Sequence, residues 1–262
     1  MLDTLRFVTY LAPSIPAAFH RALAEQICGP LGLCPALTVE ERRSGPRPHE
    51  DPFSADEGDV GFMCAPCYLD LRALPRPPVE LLVAPVYADP RNGGRPVYFS
   101  EVMVRRDAGF TRFEDFARSG TWAFNDDGSL SGYHCMRRRL AALGLEPDAR
   151  TRAVHSGSHL RSLELVAAGE VDGAAIDSHV LALRQATAPE SVATLRVLAT
   201  LGPHPVQPVV VRASLAQELK LRLRERFLGL DAQPRGRELL SAFRVERFVP
   251  VEPSDYPLEF KP

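Results

Sequence analysis

What the sequence lacks narrows its reading first. No run of about 18 consecutive apolar residues occurs, so no membrane-spanning helix is expected. Neither sign of charge dominates: 31 Lys and Arg against 33 Asp and Glu leave −2. Nothing global therefore recruits nucleic acid or an anionic membrane, and any anion site must be local. Cysteines are few and irregularly spaced: Cys28, Cys34, Cys64, Cys67 and Cys135. An odd, unpatterned set argues against a disulfide framework and for a reducing compartment. The N-terminus shows no basic flank before an apolar core, because Asp3 precedes Arg6 and Phe7–Tyr10 reads as a strand. No signal peptide is expected on that basis. Familiar catalytic signatures are missing as well. Gly128-Ser-Leu-Ser-Gly132 has leucine where a nucleophile elbow requires serine, and no Gly-Lys-Ser/Thr ending marks a P-loop. His155 and His159 lack a third ligand at zinc spacing. The expectation is a chain without a catalytic centre, metal or cofactor.

What is present is ordinary for a globular protein. The 262 residues, 45% of them hydrophobic, suffice for one large domain or two lobes with buried cores. Prolines cluster in 46–52, 75–96 and 203–208, which read as connections. Strands are predicted at 5–10, 37–40, 60–63, 81–87, 98–105, 121–124, 152–154, 173–177, 195–201 and 206–212, from short apolar or β-branched runs. Helices are predicted at 16–27, 133–143, 160–168, 178–185, to Leu228 and 236–243. Thr111-Arg-Phe-Glu114 and Ser214-Leu-Ala-Gln217 read as capping boxes, the first opening a short helix that ends near Gly120. Gly169 fits the residue after a helix end. Alternating strands and helices imply an α/β fold with mostly parallel sheets, whose ligands bind where strands end and helices begin.

The polar residues at those ends are the informative ones. The stretch Trp122–Gly132 is an apolar strand, a tight turn with two hydroxyls, and then a helix. Ser129 and Ser131, with the first N–H groups of that helix, could hold several oxygens of one tetrahedral anion; either serine could instead simply cap the helix. His155 and His159 flank a second strand-to-helix turn, as hydrogen-bond donors or as surface residues. Asp177 closes Ala174-Ala-Ile-Asp177 and is either a helix cap or an acceptor for a protonated or amine-bearing ligand. Cys64-Ala-Pro-Cys67 has the spacing of a redox pair, with packing as its plain alternative. Arg137-Arg-Arg139 reads as a solvated helix face.

Several runs together resemble the substrate-binding proteins of phosphate, phosphite and phosphonate ABC importers. They are Tyr98-Phe-Ser-Glu-Val-Met-Val-Arg-Arg-Asp107, Phe124-Asn-Asp-Asp-Gly-Ser-Leu-Ser-Gly-Tyr133, Ser156-Gly-Ser-His159, Ala168–Ser178 and Gln207-Pro-Val-Val-Val211. The resemblance implies a two-lobed type II periplasmic-binding-protein fold, each lobe a mostly parallel sheet flanked by helices, joined by two crossover strands. Residues 1–103 plus 203–262 would form one lobe and 104–202 the other, with a small oxyanion clamped between them. It implies ligand roles for Ser129, Leu130 (through its backbone) and Ser131, for His159 and Asp177, and for Tyr98 and Tyr10. Leu130 departs from the threonine common in phosphonate binders. The implied partners are the oxyanion and an ABC permease, for a chain that is a monomer without nucleic acid or membrane insertion. Family habit points to the periplasm; the lack of a leader points to the cytoplasm. An enzyme on the same scaffold, of thiamin-precursor or menaquinone-biosynthesis type, or a ligand sensor, remains the alternative.

Overall fold

The structure, a computed structural model, describes residues 3–47, 49–145, 148 and 150–257. In chain order the elements are β1 (Thr4–Thr9), α1 (Ala17–Cys28), β2 (Cys34–Val39), β3 (Val60–Phe62), α2 (Ala65–Arg72) and β4 (Val79–Tyr87). Next come β5 (Val97–Arg105), α3 (Phe113–Ser119), β6 (Trp122–Phe124), a π-helical turn (Leu130–His134), α4 (Cys135–Ala142) and β7 (Ala153–His155). Then follow α5 (His159–Ala168), β8 (Gly173–Asp177), α6 (Ser178–Thr187) and β9 (Leu195–Pro205). The last are β10 (Val209–Arg212), α7 (Gln217–Leu228), α8 (Pro234–Ala242) and β11 (Val245–Val249). The chain divides into two units: Met1–Val97 with Pro205–Lys261, and Tyr98–His204.

The first unit carries a six-stranded sheet in the order β11-β4-β10-β3-β1-β2. β1 pairs parallel with β2 and β3, whereas β10 runs antiparallel to β3 and β4, and β11 antiparallel to β4. The sheet is thus mixed, with its parallel part in the first βαβ stretch, where α1 provides the crossover. Apolar spacing on α1 buries Phe19, Leu23, Ala24 and Ile27 against the sheet.

The second unit has a five-stranded sheet in the order β7-β6-β8-β5-β9. β6 lies parallel to β7 and β8, and β5 antiparallel to β8. Strand periodicity splits its core between two faces. Val102, Val104, Trp122 and Ala175 pack with Phe113, Phe116, Met136 and Leu140; Met103, Ala123, Ala174 and Ile176 pack with Leu163, Val166 and Leu181. Helices on both faces hold β6, β7 and β8 so that their C-terminal ends meet helix starts on one edge.

Four expectations need correction. The capping boxes do not form: α3 starts after Arg112 and α7 after Ala216, neither with a capping side chain, so Thr111 and Ser214 lie outside the N-cap position. Prolines 203 and 205 lie inside β9 rather than in a connection, which is tolerated because β9 is an edge strand with one unpaired side. The helix predicted from Tyr133 starts earlier, as a π-helical turn from Leu130. β11 lies outside the predicted strands, because Val245-Glu-Arg-Phe-Val249 places two charges side by side and shows no strand alternation.

Candidate functional site

The site is built from the second unit's helix starts. After β6, Asp126 turns the chain: its carboxylate accepts from Gly128 N–H at 2.8 Å and its carbonyl from Ser129 N–H at 3.1 Å. Ser129 is then the N-cap, in extended conformation, and its hydroxyl accepts from Gly132 N–H at 3.1 Å. Its carbonyl accepts from both Tyr133 and His134 N–H groups, the latter spacing being the π-helical one. The π-helical spacing widens the first turn of the helix that continues as α4. Leu130 is wholly buried, so its side chain belongs to the core and only its backbone can face a ligand.

Three other elements brace this turn. Ser131, 1% exposed, places its hydroxyl 3.3 Å from His159 Nε2 at the start of α5. Ser100 of β5 donates its hydroxyl proton to the Ser131 carbonyl at 2.8 Å. Asn125 lies behind Gly132, where an added Cβ would fall on Asn125 Oδ1 and against His159 Cε1. Only glycine fits there.

The residues that cap and brace the turn are uncharged, while Asp126 at its start carries a carboxylate engaged by the Gly128 N–H. Burial pushes the His159 imidazole down to about 4, only partly offset by a hydrogen bond with the Ala175 backbone. His159 is therefore uncharged at neutral pH and meets Ser131 as one polar neutral group meeting another. Asp177 caps α6, its Oδ1 accepting from His179 N–H at 2.7 Å and Val180 N–H at 3.3 Å. It stands opposite Ser100 in the β5–β8 ladder, so Ser100 lies between the Asp177 cap and the Ser131 turn.

The structure thus brings together Ser129, Leu130, Ser131 and His159, with Asp177 one strand away. Tyr98, two residues before Ser100, is fully buried with its ring centroid 6.5 Å from that of His204. Tyr10 belongs to the first unit, buried at the end of β1, and burial raises its phenol above the ordinary range. His155 is exposed at the end of β7. Sequence reasoning missed Ser100, which sits in a β-strand run where nothing distinguishes it from a packing serine; Asn125 falls within the polar stretch after β6 that the sequence singles out.

Among the described residues no three His, Cys, Asp or Glu side chains are grouped to hold a metal ion, and no helix is long and apolar enough to cross a membrane. A separate cavity of about 450 Å³ lies on the flank of α4, lined by Cys135, Arg138, Arg139, Thr200 and His204 among others.

Residues 47–256 match a family profile described as ABC transporter, phosphonate, periplasmic substrate-binding protein. Among solved structures, the binding-protein component of a phosphonate ABC transporter from Pseudomonas aeruginosa superposes with a TM-score of 0.82 at 20% identity, covering 98% of this chain and 84% of that one. A Prochlorococcus marinus protein in complex with methylphosphonate gives 0.81 at 15% identity, covering 97% and 94%. A Xanthomonas citri protein bound to ATP gives 0.69 at 18% identity, covering 97% and 93%. At these identities the likeness is one of fold.

Proposed function

The chain belongs to the phosphonate ABC-transporter periplasmic substrate-binding protein family, and we propose that it binds a small phosphorus oxyanion at the Ser129–Gly132 turn. That family is one of transport binding proteins rather than enzymes, and membership brings a small ligand and a permease as partners. The observation that carries the ligand reading is the π-helical turn in which two buried serines sit at a helix start, one of them against a neutral His159. Donors there are hydroxyls and N–H groups, and the Asp126 carboxylate at the start of the turn is engaged by the Gly128 N–H. Helix starts of this kind favour tetrahedral anions.

In this reading Ser129, Ser131 and the N–H groups of residues 130 and 131 hold the ligand oxygens. His159 orients the Ser131 hydroxyl, and Ser100 fixes the Ser131 carbonyl from behind. Asp177 disfavours a fully ionised ligand and favours one that keeps a proton or carries an amine. Tyr98 supports β5, which carries Ser100. A phosphonate fits best, with phosphite and phosphate as its competitors, and the chain acts as a monomer. The Prochlorococcus marinus neighbour was solved with methylphosphonate, which is the first ligand to test here. Calorimetry with methylphosphonate, 2-aminoethylphosphonate, phosphite, phosphate and sulfate is expected to give saturable binding of at least one phosphorus oxyanion. No binding by any of them at millimolar concentration would overturn the proposal.

A further inference from the structure

The Cys64-Ala-Pro-Cys67 motif stands in the first unit, and the proposed function does not use it. β3 ends at Phe62 and α2 starts at Ala65, so Cys64 is the N-cap, with extended backbone (φ −69°, ψ 150°). Cys67 is three residues on, at the position whose side chain meets the N-cap residue in a capping box. Helix neighbours three apart have Cβ atoms about 5–6 Å from each other, and a disulfide needs about 3.5–4.5 Å. Cys64 stands outside the helix as an extended N-cap residue, so its side chain is not held to the helical spacing. Pro66 fits the first turn because its missing N–H is needed by no helix bond there, and it stiffens the link between the two cysteines.

We propose that Cys64 and Cys67 form a reversible dithiol–disulfide site, closed by exchange with a small-molecule disulfide. One thiolate attacks the reagent's S–S bond, forming a mixed disulfide and releasing one reagent thiol. The second thiolate attacks the protein sulfur of that mixed disulfide and releases the other. The protein loses two hydrogens and two electrons, and the reagent becomes two thiols.

Two features set this pair apart from the remaining cysteines. Burial, with Cys34 adding to it, pushes the Cys28 thiol up to about 12, so the Cys28/Cys34 neighbours lack a thiolate partner at neutral pH. Cys135 lies in the other unit. Access to the site is governed by the turn at Ser44 and Gly45. Cys64 N–H donates to the Ser44 carbonyl at 2.8 Å, and a Cβ added at Gly45 would fall on Cys67 Cβ and Sγ. Both cysteines are nearly covered, so exchange follows the opening of this turn.

The test is independent of the ligand reading. The folded full chain is incubated with glutathione disulfide, then denatured and alkylated, and its peptides are analysed by mass spectrometry. The expected result is two fewer alkylated cysteines, both in the peptide spanning 64–67, with two hydrogen masses lost, no glutathione retained, and full reversal by dithiothreitol. Cys64→Ser and Cys67→Ser should each retain one glutathione on the remaining cysteine, because the resolving thiol is gone. Five alkylated cysteines in the wild-type chain, or loss at Cys28 and Cys34 with 64–67 still reduced, overturns the proposal. Should a serine variant fail to fold, the wild-type peptide result decides alone.

Discussion

Two helix starts in the second unit solve the same problem with opposite charge. At the β6–α4 turn the N-cap is Ser129, a neutral hydroxyl serving the Gly132 N–H. At the β8–α6 turn it is Asp177, a carboxylate serving two N–H groups from a fully buried position. A helix start needs negative charge nearby, and α6 carries its own. The turn before α4 is capped by a neutral serine and widened by a π-helical step, and in the proposed reading it receives an anion from outside.

The comparison can be strained most through His159, which braces the Ser129–Gly132 turn. Unfolded, it is an ordinary imidazole with pKa near 6.5; folded, burial first of all holds it at about 4. Above pH 6.5 both states are neutral and its contribution is complete. As pH falls, the unfolded chain takes up a proton that folded His159 refuses until about pH 4. Stability is lost across that window by an amount on the order of 3 kcal/mol. Urea unfolding at pH 7 and pH 4.5 should show the loss. Half-buried His204 and buried His20, held down to about 4 and about 3 chiefly by loss of solvent, add to it. His159→Gln should therefore make the slope shallower without removing it.

Gly132→Ala comes next. The new methyl meets Asn125 Oδ1 and His159 Cε1, so the turn or both neighbours must move. Overpacking of this kind costs about 1–3 kcal/mol, readable by denaturant titration, and ligand affinity should fall at least tenfold. The cap substitutions are milder and separate the two turns. Asp177→Ala should lose about 1–2 kcal/mol and Ser129→Ala about 1 kcal/mol. Ser158→Ala removes a third cap, whose hydroxyl accepts from Arg161 N–H at 3.1 Å; it should cost about 1 kcal/mol and leave anion affinity unchanged.

Much of this contrast was legible in the residues. Gly173–Asp177 reads as a buried strand because its small and β-branched residues are bounded by a turn former and a carboxylate, and it folds with those limits. Ser129 and Asp177 occupy cap positions because short acceptors before an apolar run satisfy free N–H groups. Other features could not be read from local pattern. The π-helical turn depends on His134 N–H reaching the Ser129 carbonyl, a choice set by packing of Leu130 into the core. The contact of Ser131 with His159 joins residues 28 apart, and that of Ser100 with Ser131 joins residues 31 apart. Such pairs follow from sheet order, which periodicity alone does not specify. The two capping boxes failed for the converse reason: the motif was present, but each helix starts after it.

We propose that the Ser129–Gly132 turn, rather than another cationic or dipolar feature of the second unit, holds the anion. The most direct test is calorimetric titration of the phosphorus oxyanion bound by the wild type into Ser131→Ala, Ser158→Ala and Arg138→Ala. The last removes a guanidinium from the cavity on the flank of α4. Ser131→Ala is predicted to weaken binding at least tenfold while the other two bind as the wild type does. Unchanged binding by Ser131→Ala, with loss in Arg138→Ala, would contradict it.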